Sequence, residues 1–383
     1  MSRTAILLLP LLLVSAGPAV AGSLAVAWDD PKHGGAVGLL EVEPPYGLVD
    51  TPIPLAADGL LRAAPGVLLH LSRSDGVVTR IDPARWRIEA SFDLGSADAP
   101  RDLVFVGPDR VWVTRGAASS LLELDLATGS TRDVVDLAPL GAGAKGLAME
   151  TALAYEGRVY VQLRGQHGDP AGSHFLAVID IATESLVDAD PEAPGTQAIT
   201  LAGTAPRFKM QIVPGRDELL LSATGAFQDS GGLERIDLET LESQGVAVRE
   251  FVDVAGNDLG VFVMMDADRG WLVYSTDIVL SSHLHPFTLS EGGNTPEAAN
   301  SLCYFAPAIV FDTATNTVFW PEPTGVRAFD ASSGLARADA TPLDGEPTDI
   351  ELLPEPGAAT WVGLLSLAAM RLLGRSASSR RRP

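Results

Sequence analysis

Residues 121–129 read Leu-Leu-Glu-Leu-Asp-Leu-Ala-Thr-Gly: an apolar strand ends in an aspartate, and a turn of small and hydroxylated residues follows. The same pattern recurs along the chain, with successive aspartates separated by 43, 55, 57 and 93 residues; they are Asp82, Asp125, Asp180, Asp237 and Asp330. The last gap is about two units long, so we expect a degenerate copy between Asp277 and Ser290. A weaker copy at residues 40–43 completes seven units.

The repeated aspartate has a local physical role. Its carboxylate can accept hydrogen bonds from the backbone N–H groups two or three residues further on, which closes a turn. Glycine or another small residue takes the position of the turn that has a positive φ. We therefore interpret these aspartates as turn residues and not as metal ligands.

Each unit also carries a hairpin upstream of its aspartate, as in residues 103–114, where Gly-Pro-Asp-Arg separates two apolar strands. With a further strand after the aspartate, each unit has four strands in about 40 to 55 residues, the length of a propeller blade. The sequence predicts an all-β, seven-bladed β-propeller over residues 22–353. Residues 347–353 resemble a first strand that the N-terminal unit lacks, so we expect the two chain ends to close one blade together.

The strands Val111-Trp112-Val113-Thr114 and Val159-Tyr160-Val161-Gln162, followed by Asp-x-x-Thr turns, resemble the YVTN-type repeats of the WD40/YVTN propeller superfamily. The repeats diverge from one another, and the resemblance implies an architecture without implying an activity.

The N-terminus predicts a secretory signal peptide over residues 1–21. Arg3 provides the positive charge, residues 6–14 are apolar, and Ala19 and Ala21 form a small-residue cleavage site. We therefore expect an exported protein whose mature chain begins near Gly22.

The C-terminus has three parts, which together span residues 354–383. Pro354, Glu355 and Pro356 precede an apolar segment, 357–373, and the basic tail 374–383 contains Arg380, Arg381 and Arg382. The arrangement resembles the PEP-CTERM sorting signal of Gram-negative bacteria. That resemblance implies recognition by exosortase, a membrane helix over 357–373 that is removed with the tail, and an association with exopolysaccharide. The alternative is a plain membrane anchor, although the segment is shorter than the roughly twenty residues of a comfortable span. The final location would be the cell envelope or the exterior.

The composition limits the possible partners. The net charge is −22, which disfavours nucleic acid because the phosphate backbone would be repelled. Cys303 is the single cysteine, so no disulfide can form within the chain; we interpret it as a small buried residue.

Polar loops and blade connections converge on one face of a propeller, around the mouth of its channel. The candidate ligand residues there are Asp102, His167, Asp169, His174, Asp258 and Asp349. Carboxylates around a channel could hold Ca²⁺ or the hydroxyls of a polysaccharide, and solvated polar loops are the alternative. His283 and His285 would point to one face of a strand, which allows a zinc site, but no third ligand is identifiable.

Three classes of function fit this sequence. The first is a binding or structural propeller of the envelope or matrix, the second a lactonase-like or metal-dependent hydrolase with its site at the channel mouth, and the third a protein-recruiting scaffold. We favour the first, because no phosphate-binding loop, nucleophile elbow or His-Glu-x-x-His motif occurs.

Overall fold

The computed structural model shows seven antiparallel sheets that follow one another along the chain as the blades of a propeller. The residues it describes are 22–30, 34–142, 146–165, 174–203, 206–223, 231–249, 253, 258–275, 282–290, 300–302 and 308–354. The prediction of an all-β, seven-bladed propeller is confirmed.

Blades 1 to 4 contain the first sixteen strands of the chain, and blade 1 also includes the last strand, which is described below. Blade 1 contains β1 (Ser23–Asp30), β2 (Gly34–Glu41) and β3 (Ile53–Leu55). Blade 2 contains β4 (Gly59–Ala64), β5 (Val67–Ser72), β6 (Val77–Asp82) and β7 (Arg87–Asp93). Blade 3 contains β8 (Pro100–Gly107), β9 (Arg110–Arg115), β10 (Ser120–Asp125) and β11 (Thr131–Asp136). Blade 4 contains β12 (Ala148–Tyr155), β13 (Arg158–Arg164), β14 (Phe175–Asp180), β15 (Ser185–Leu186) and β16 (Ile199–Thr200).

The remaining blades have four strands each. Blade 5 contains β17 (Pro206–Ile212), β18 (Glu218–Ala223), β19 (Gly232–Asp237) and β20 (Glu242–Arg249). Blade 6 contains β21 (Asp258–Met264), β22 (Arg269–Ser275), β23 (Ser282–Thr288) and β24 (Asn300–Leu302). Blade 7 contains β25 (Val310–Asp312), β26 (Thr317–Glu322), β27 (Gly325–Asp330) and β28 (Thr341–Pro342). The last strand, β29 (Glu346–Leu352), pairs with β1 and joins blade 1. A short 3₁₀ helix spans Ala138–Leu140.

The middle strands of the blades, such as β5 and β9, are mostly apolar because both faces of a blade are covered by its neighbours. In β9, Val111 and Val113 pack in the cluster between blades 2 and 3, whereas Trp112 packs in the cluster between blades 3 and 4. Seven such clusters occupy the seven interfaces between neighbouring blades, including the interface between blades 7 and 1. The core is therefore a closed ring of interfaces.

The ring is closed by the C-terminal strand, as the sequence predicts. Residues Leu352 to Glu346 of β29 run antiparallel to Leu24 to Asp29 of β1, and the Leu353 N–H donates to the Ser23 carbonyl at 3.0 Å. Ile350 and Leu353 are buried on opposite sides of blade 1, against blades 7 and 2 respectively. Pairing between the first and the last strand therefore closes the ring without a disulfide.

The repeated aspartates close turns, which confirms their predicted role. Asp125 Oδ1 accepts the N–H groups of Ala127 and Thr128 at 2.9 and 2.8 Å. Asp82, Asp180, Asp237 and Asp330 accept N–H groups two or three residues further on in the same manner. The degenerate sixth copy is β23, which lies inside the interval predicted for it.

The predicted signal peptide, residues 1–21, and residues 355–383 of the predicted sorting signal lie outside the described residues. Within the described ranges, no helix is long and apolar enough to cross a bilayer.

Candidate binding site in the central channel

Five ionisable side chains that affect one another's charge lie on the inner strands of four blades. They are Arg62 on β4, Asp102 on β8, Lys209 on β17, and Asp349 and Glu351 on β29. The Lys209 side chain, on blade 5, donates to the Ile309 carbonyl beside blade 7 at 2.8 Å. Because this contact bypasses blade 6, it crosses the central channel. The five side chains define what we call the channel cluster.

Arg62 is the centre of one half of the channel cluster. Its Nη2 lies 2.6 Å from Asp102 Oδ1 and its Nη1 lies 3.6 Å from Asp349 Oδ2. Arg62, on blade 2, therefore links its two neighbours, blade 3 and blade 1. Burial alone would lower the pKa of Arg62, but the charges of Asp102, Asp349 and Glu351 outweigh it and raise that pKa. Arg62 therefore stays charged and neutralises part of the acidic wall.

Asp102 and Asp349 fasten each blade to the next. Asp102 accepts the N–H of Leu103 beside it at 2.7 Å and the N–H of Ala152 on the inner strand of blade 4 at 3.0 Å. Asp349 accepts the N–H of Ile350 at 2.9 Å and that of Leu61 on blade 2 at 2.8 Å. Burial raises the pKa of Asp349, and Arg62 and these N–H donors oppose that rise. Much of the acceptor capacity of both carboxylates is thus used within the fold.

Glu351 and Lys209 form the other half of the channel cluster, and they do not touch. Within the described part of the chain no ion pair joins them, so their charged atoms lie more than 4.0 Å apart. Burial raises the pKa of Glu351 to about 7, against the opposing charges of Arg62 and Lys209. Burial likewise lowers the pKa of Lys209 to about 8, although Glu351 and Asp349 act to raise it. Both groups can therefore exchange protons near neutral pH.

An irregularity in β17 places Lys209 in the channel. Phe208 has φ +74°, a left-handed value rare for a residue with a side chain, and the register with β18 shifts between Pro206 and Met210. The Phe208 carbonyl accepts the Thr151 hydroxyl at 3.1 Å, and its ring packs against the apolar cluster between blades 6 and 7. The carboxylates of the channel cluster therefore lie on blades 1 and 3, and Lys209 extends towards them from blade 5.

The structure brings together only part of the predicted ligand face. Asp102 and Asp349 meet through Arg62, whereas His174 precedes β14, is buried, and accepts the Gly165 N–H on Nδ1 at 3.1 Å. His167 and Asp169 lie outside the described residues, and Asp258 begins β21 with a side chain that is not described. The sequence analysis did not predict Arg62, Lys209 or Glu351 as site residues. Glu351 could have been predicted, because side chains alternate along a strand and residue 351 therefore lies on the same face of β29 as Asp349.

Metal binding finds little support in the described side chains. No group of three or more potential ligands occurs among them. A Ca²⁺ ion between Asp102 and Asp349 would have to displace the Arg62 guanidinium, which already lies against both. His285 and His283 contact the Tyr274 ring, with centroid separations of 5.6 and 5.2 Å, so both histidines take part in packing.

The fold defines the class of this protein as a seven-bladed β-propeller, and comparison with solved structures agrees. It is similar to a candidate 6-phosphogluconolactonase from Bacteroides fragilis, with TM-score 0.61, 10% identity, and coverage of 88% of this chain and 99% of that one. A protein of unknown function from Desulfotomaculum acetoxidans gives TM-score 0.59 and 12% identity, covering 88% and 100%. A candidate 6-phosphogluconolactonase from Bacteroides uniformis gives 0.58 and 10%, covering 86% and 99%. At these identities the likeness concerns the fold alone.

No protein-family model matches the chain, and no curated protein matches its sequence.

Proposed function

We propose that this protein is an exported propeller of the cell envelope or extracellular matrix that binds a small polar ligand or glycan in its central channel. The observation that carries the proposal is the separated pair of Lys209 and Glu351. Two opposite charges that lie near enough to affect each other's pKa, yet form no ion pair, leave hydrogen-bonding capacity for a third molecule.

The proposed export and sorting rest on the two chain ends. The first strand begins at Ser23, directly after the predicted signal peptide, and Pro354 follows the packed residue Leu353. Removal of both ends would therefore leave every blade complete. In this proposal an exosortase-type enzyme acts after Leu353, the C-terminal segment holds the chain in the inner membrane until then, and exopolysaccharide is the expected partner.

Binding is tested with the chain from Gly22 to Pro354 and the purified exopolysaccharide of the producing cell. We expect co-sedimentation that weakens at least severalfold in Lys209→Met. Arg85→Met is the matched control, because the Arg85 side chain is 68% exposed and lies on a turn of blade 2. Equal binding by the two variants would place the polysaccharide elsewhere on the propeller, and absence of binding by the parent chain would contradict the proposal.

A second candidate is a hydrolase, such as a lactonase, and a specific observation favours it. Glu351, with its pKa raised by burial to about 7, is suited to accept a proton from an attacking water, and the Lys209 ammonium could stabilise a developing oxyanion. Two of the structural relatives carry the name of a lactonase. The test is hydrolysis of a panel of sugar lactones between about pH 6 and 9. This candidate predicts an activity that Glu351→Gln abolishes; absence of activity, or a rate that the variant leaves unchanged, excludes it.

A further inference from the structure

Four large hydrophobic side chains are exposed in the described part of the chain, and all four lie on one arc of the propeller rim. They are Leu48 and Val49 of blade 1, Ile88 of blade 2 and Leu335 of blade 7, which are 40%, 43%, 45% and 70% exposed. Blades 7, 1 and 2 are consecutive, because blade 1 shares one apolar cluster with each of the other two. Single exposed hydrophobic residues are common on proteins, so it is their grouping on one arc that calls for an explanation.

The four residues also lie at the same end of their blades. Leu48 and Val49 follow the loop after β2, Ile88 follows the aspartate turn after β6, and Leu335 follows the aspartate turn after β27. Each of them therefore stands where the chain has just passed from the third strand of a blade to its outer edge. We call this side of the propeller, on which the repeated aspartates close their turns, the turn face.

Hydrogen bonds join the rims of the three blades. Trp86 Nε1 on the turn of blade 2 donates to the Thr51 carbonyl of blade 1 at 3.0 Å. On the other side of blade 1, the Thr341 hydroxyl of blade 7 donates to the Tyr46 carbonyl. The outer strands of blades 3, 4 and 5 begin instead with polar residues, which are Thr131, Ser185 and Glu242. The exposed apolar side chains are therefore confined to the rim of blades 7, 1 and 2, which we call the apolar arc.

The chain ends leave from the middle of the apolar arc. The Leu353 N–H donates to the Ser23 carbonyl at 3.0 Å, and the Val42 N–H, at the end of β2, donates to the Gly22 carbonyl at 3.3 Å. Both ends of the propeller therefore lie on the turn face of blade 1. The predicted membrane segment begins at Gly357, four residues after Leu353, and four residues span at most about 14 Å. In the proposed sorting, this face is held close to the bilayer until the tail is removed.

We propose that the apolar arc is a membrane-docking surface, which rests on a zwitterionic phospholipid bilayer and keeps its affinity for it after the tail is removed. Exposed aliphatic side chains leave water when they enter the boundary between headgroups and acyl chains. The net charge of −22, with Glu43 and Asp50 exposed on either side of the apolar loop, disfavours anionic lipid. The inference goes beyond the proposed function and rests on it only for the direction in which the chain end leaves. The docked propeller directs its blade connections away from the bilayer.

The experiment is co-sedimentation of the chain from Gly22 to Pro354 with phosphatidylcholine vesicles. We expect binding that falls at least about tenfold in a combined variant with Val49→Ser, Ile88→Ser and Leu335→Ser. Leu335→Met, which keeps an apolar side chain, should bind like the parent. Because the driving force is apolar, raising the salt concentration should not weaken binding.

Tryptophan fluorescence gives a second readout of docking. Five of the six tryptophans lie in residues 22–354, and Trp86 is the one among these five that is not buried. Brominated phosphatidylcholine should therefore quench the fluorescence of the bound protein, and Trp86→Phe should remove most of that quenching. Arg85→Met is the matched control for charge, because Arg85 is 68% exposed on the same turn; it should neither weaken binding nor reduce the quenching.

The outcomes separate this inference from the proposed function. A parent chain that does not bind phosphatidylcholine, a combined variant that binds as well as the parent, or binding confined to vesicles with an anionic lipid overturns the inference. A chain that binds exopolysaccharide but no vesicle retains the proposed function, and one that binds vesicles but no polysaccharide retains the inference. Thermal unfolding checks that the combined variant is folded. If it is not, Leu335→Asp alone, at the most exposed of the four positions, should still weaken vesicle binding severalfold, and unchanged binding overturns the inference.

Discussion

Ile350→Ala tests the closure of the ring by the C-terminal strand. Ile350 is 1% exposed and packs with Leu24, Val26 and Phe319 in the cluster between blades 7 and 1. Truncation of a fully buried isoleucine to alanine costs about 2–5 kcal/mol through lost burial and the cavity left behind. Since a typical domain is stable by only about 5–15 kcal/mol, this single change in the closing strand should remove a large share of the stability.

The assay is equilibrium unfolding in urea of the chain from Gly22 to Pro354, followed by circular dichroism and tryptophan fluorescence. Ile88→Ala is the matched control, because Ile88 is 45% exposed on the outer strand of blade 2 and its truncation should cost less than about 1 kcal/mol. A cost for Ile350→Ala no larger than that for Ile88→Ala would refute the reasoning. It would mean that the packing of the closing strand contributes little to the stability of the ring.

Three further predictions concern charges. Arg62→Met should destabilise by about 3–5 kcal/mol in urea unfolding, because two buried carboxylates lose their cation, whereas Arg85→Met on the surface should leave the stability nearly unchanged. Glu351 holds its proton to about pH 7 in the folded protein but only to about pH 4.5 when unfolded. Its contribution to the free energy of unfolding should therefore fall as the pH rises between those values, by up to about 1.4 kcal/mol per pH unit. Glu351→Gln should remove this slope when unfolding is compared at about pH 5 and about pH 7. Asp125→Ala should lower the midpoint of thermal unfolding through loss of two turn hydrogen bonds, and Asp125→Asn, which keeps an acceptor, should lower it less.

The parts of the fold that follow from local chemistry could be predicted from the sequence. The turn aspartates act on N–H groups two or three residues away, so their role is visible in a short window of sequence. Residues 347–353 could be assigned as the closing strand because they repeat the pattern of residues 100–105. Asp266 and Asp312 close turns inside hairpins in the same way, yet they fall outside the repeated pattern and were not predicted.

The channel cluster could not be predicted in the same way, because it depends on which residues of four separate strands face one another. Arg62 lies in an otherwise apolar strand, and Lys209 enters the channel through the bulge at Phe208, which no local pattern indicates. Asp102 and Asp349 were predicted as ligand residues from their place at blade connections. The structure gives both of them backbone contacts to the next blade, and long-range hydrogen bonds of this kind leave no trace in sequence spacing.

The most direct test of the account is the intact mass of the protein recovered from the envelope and medium of the cells that produce it. We predict a chain that begins near Gly22 and ends at or shortly after Pro354, so that the closing strand is kept and the basic tail is gone. A recovered chain that still carries Arg380 to Pro383 would contradict the proposed sorting, and one that ends before Leu353 would contradict the role of β29 in holding the ring closed.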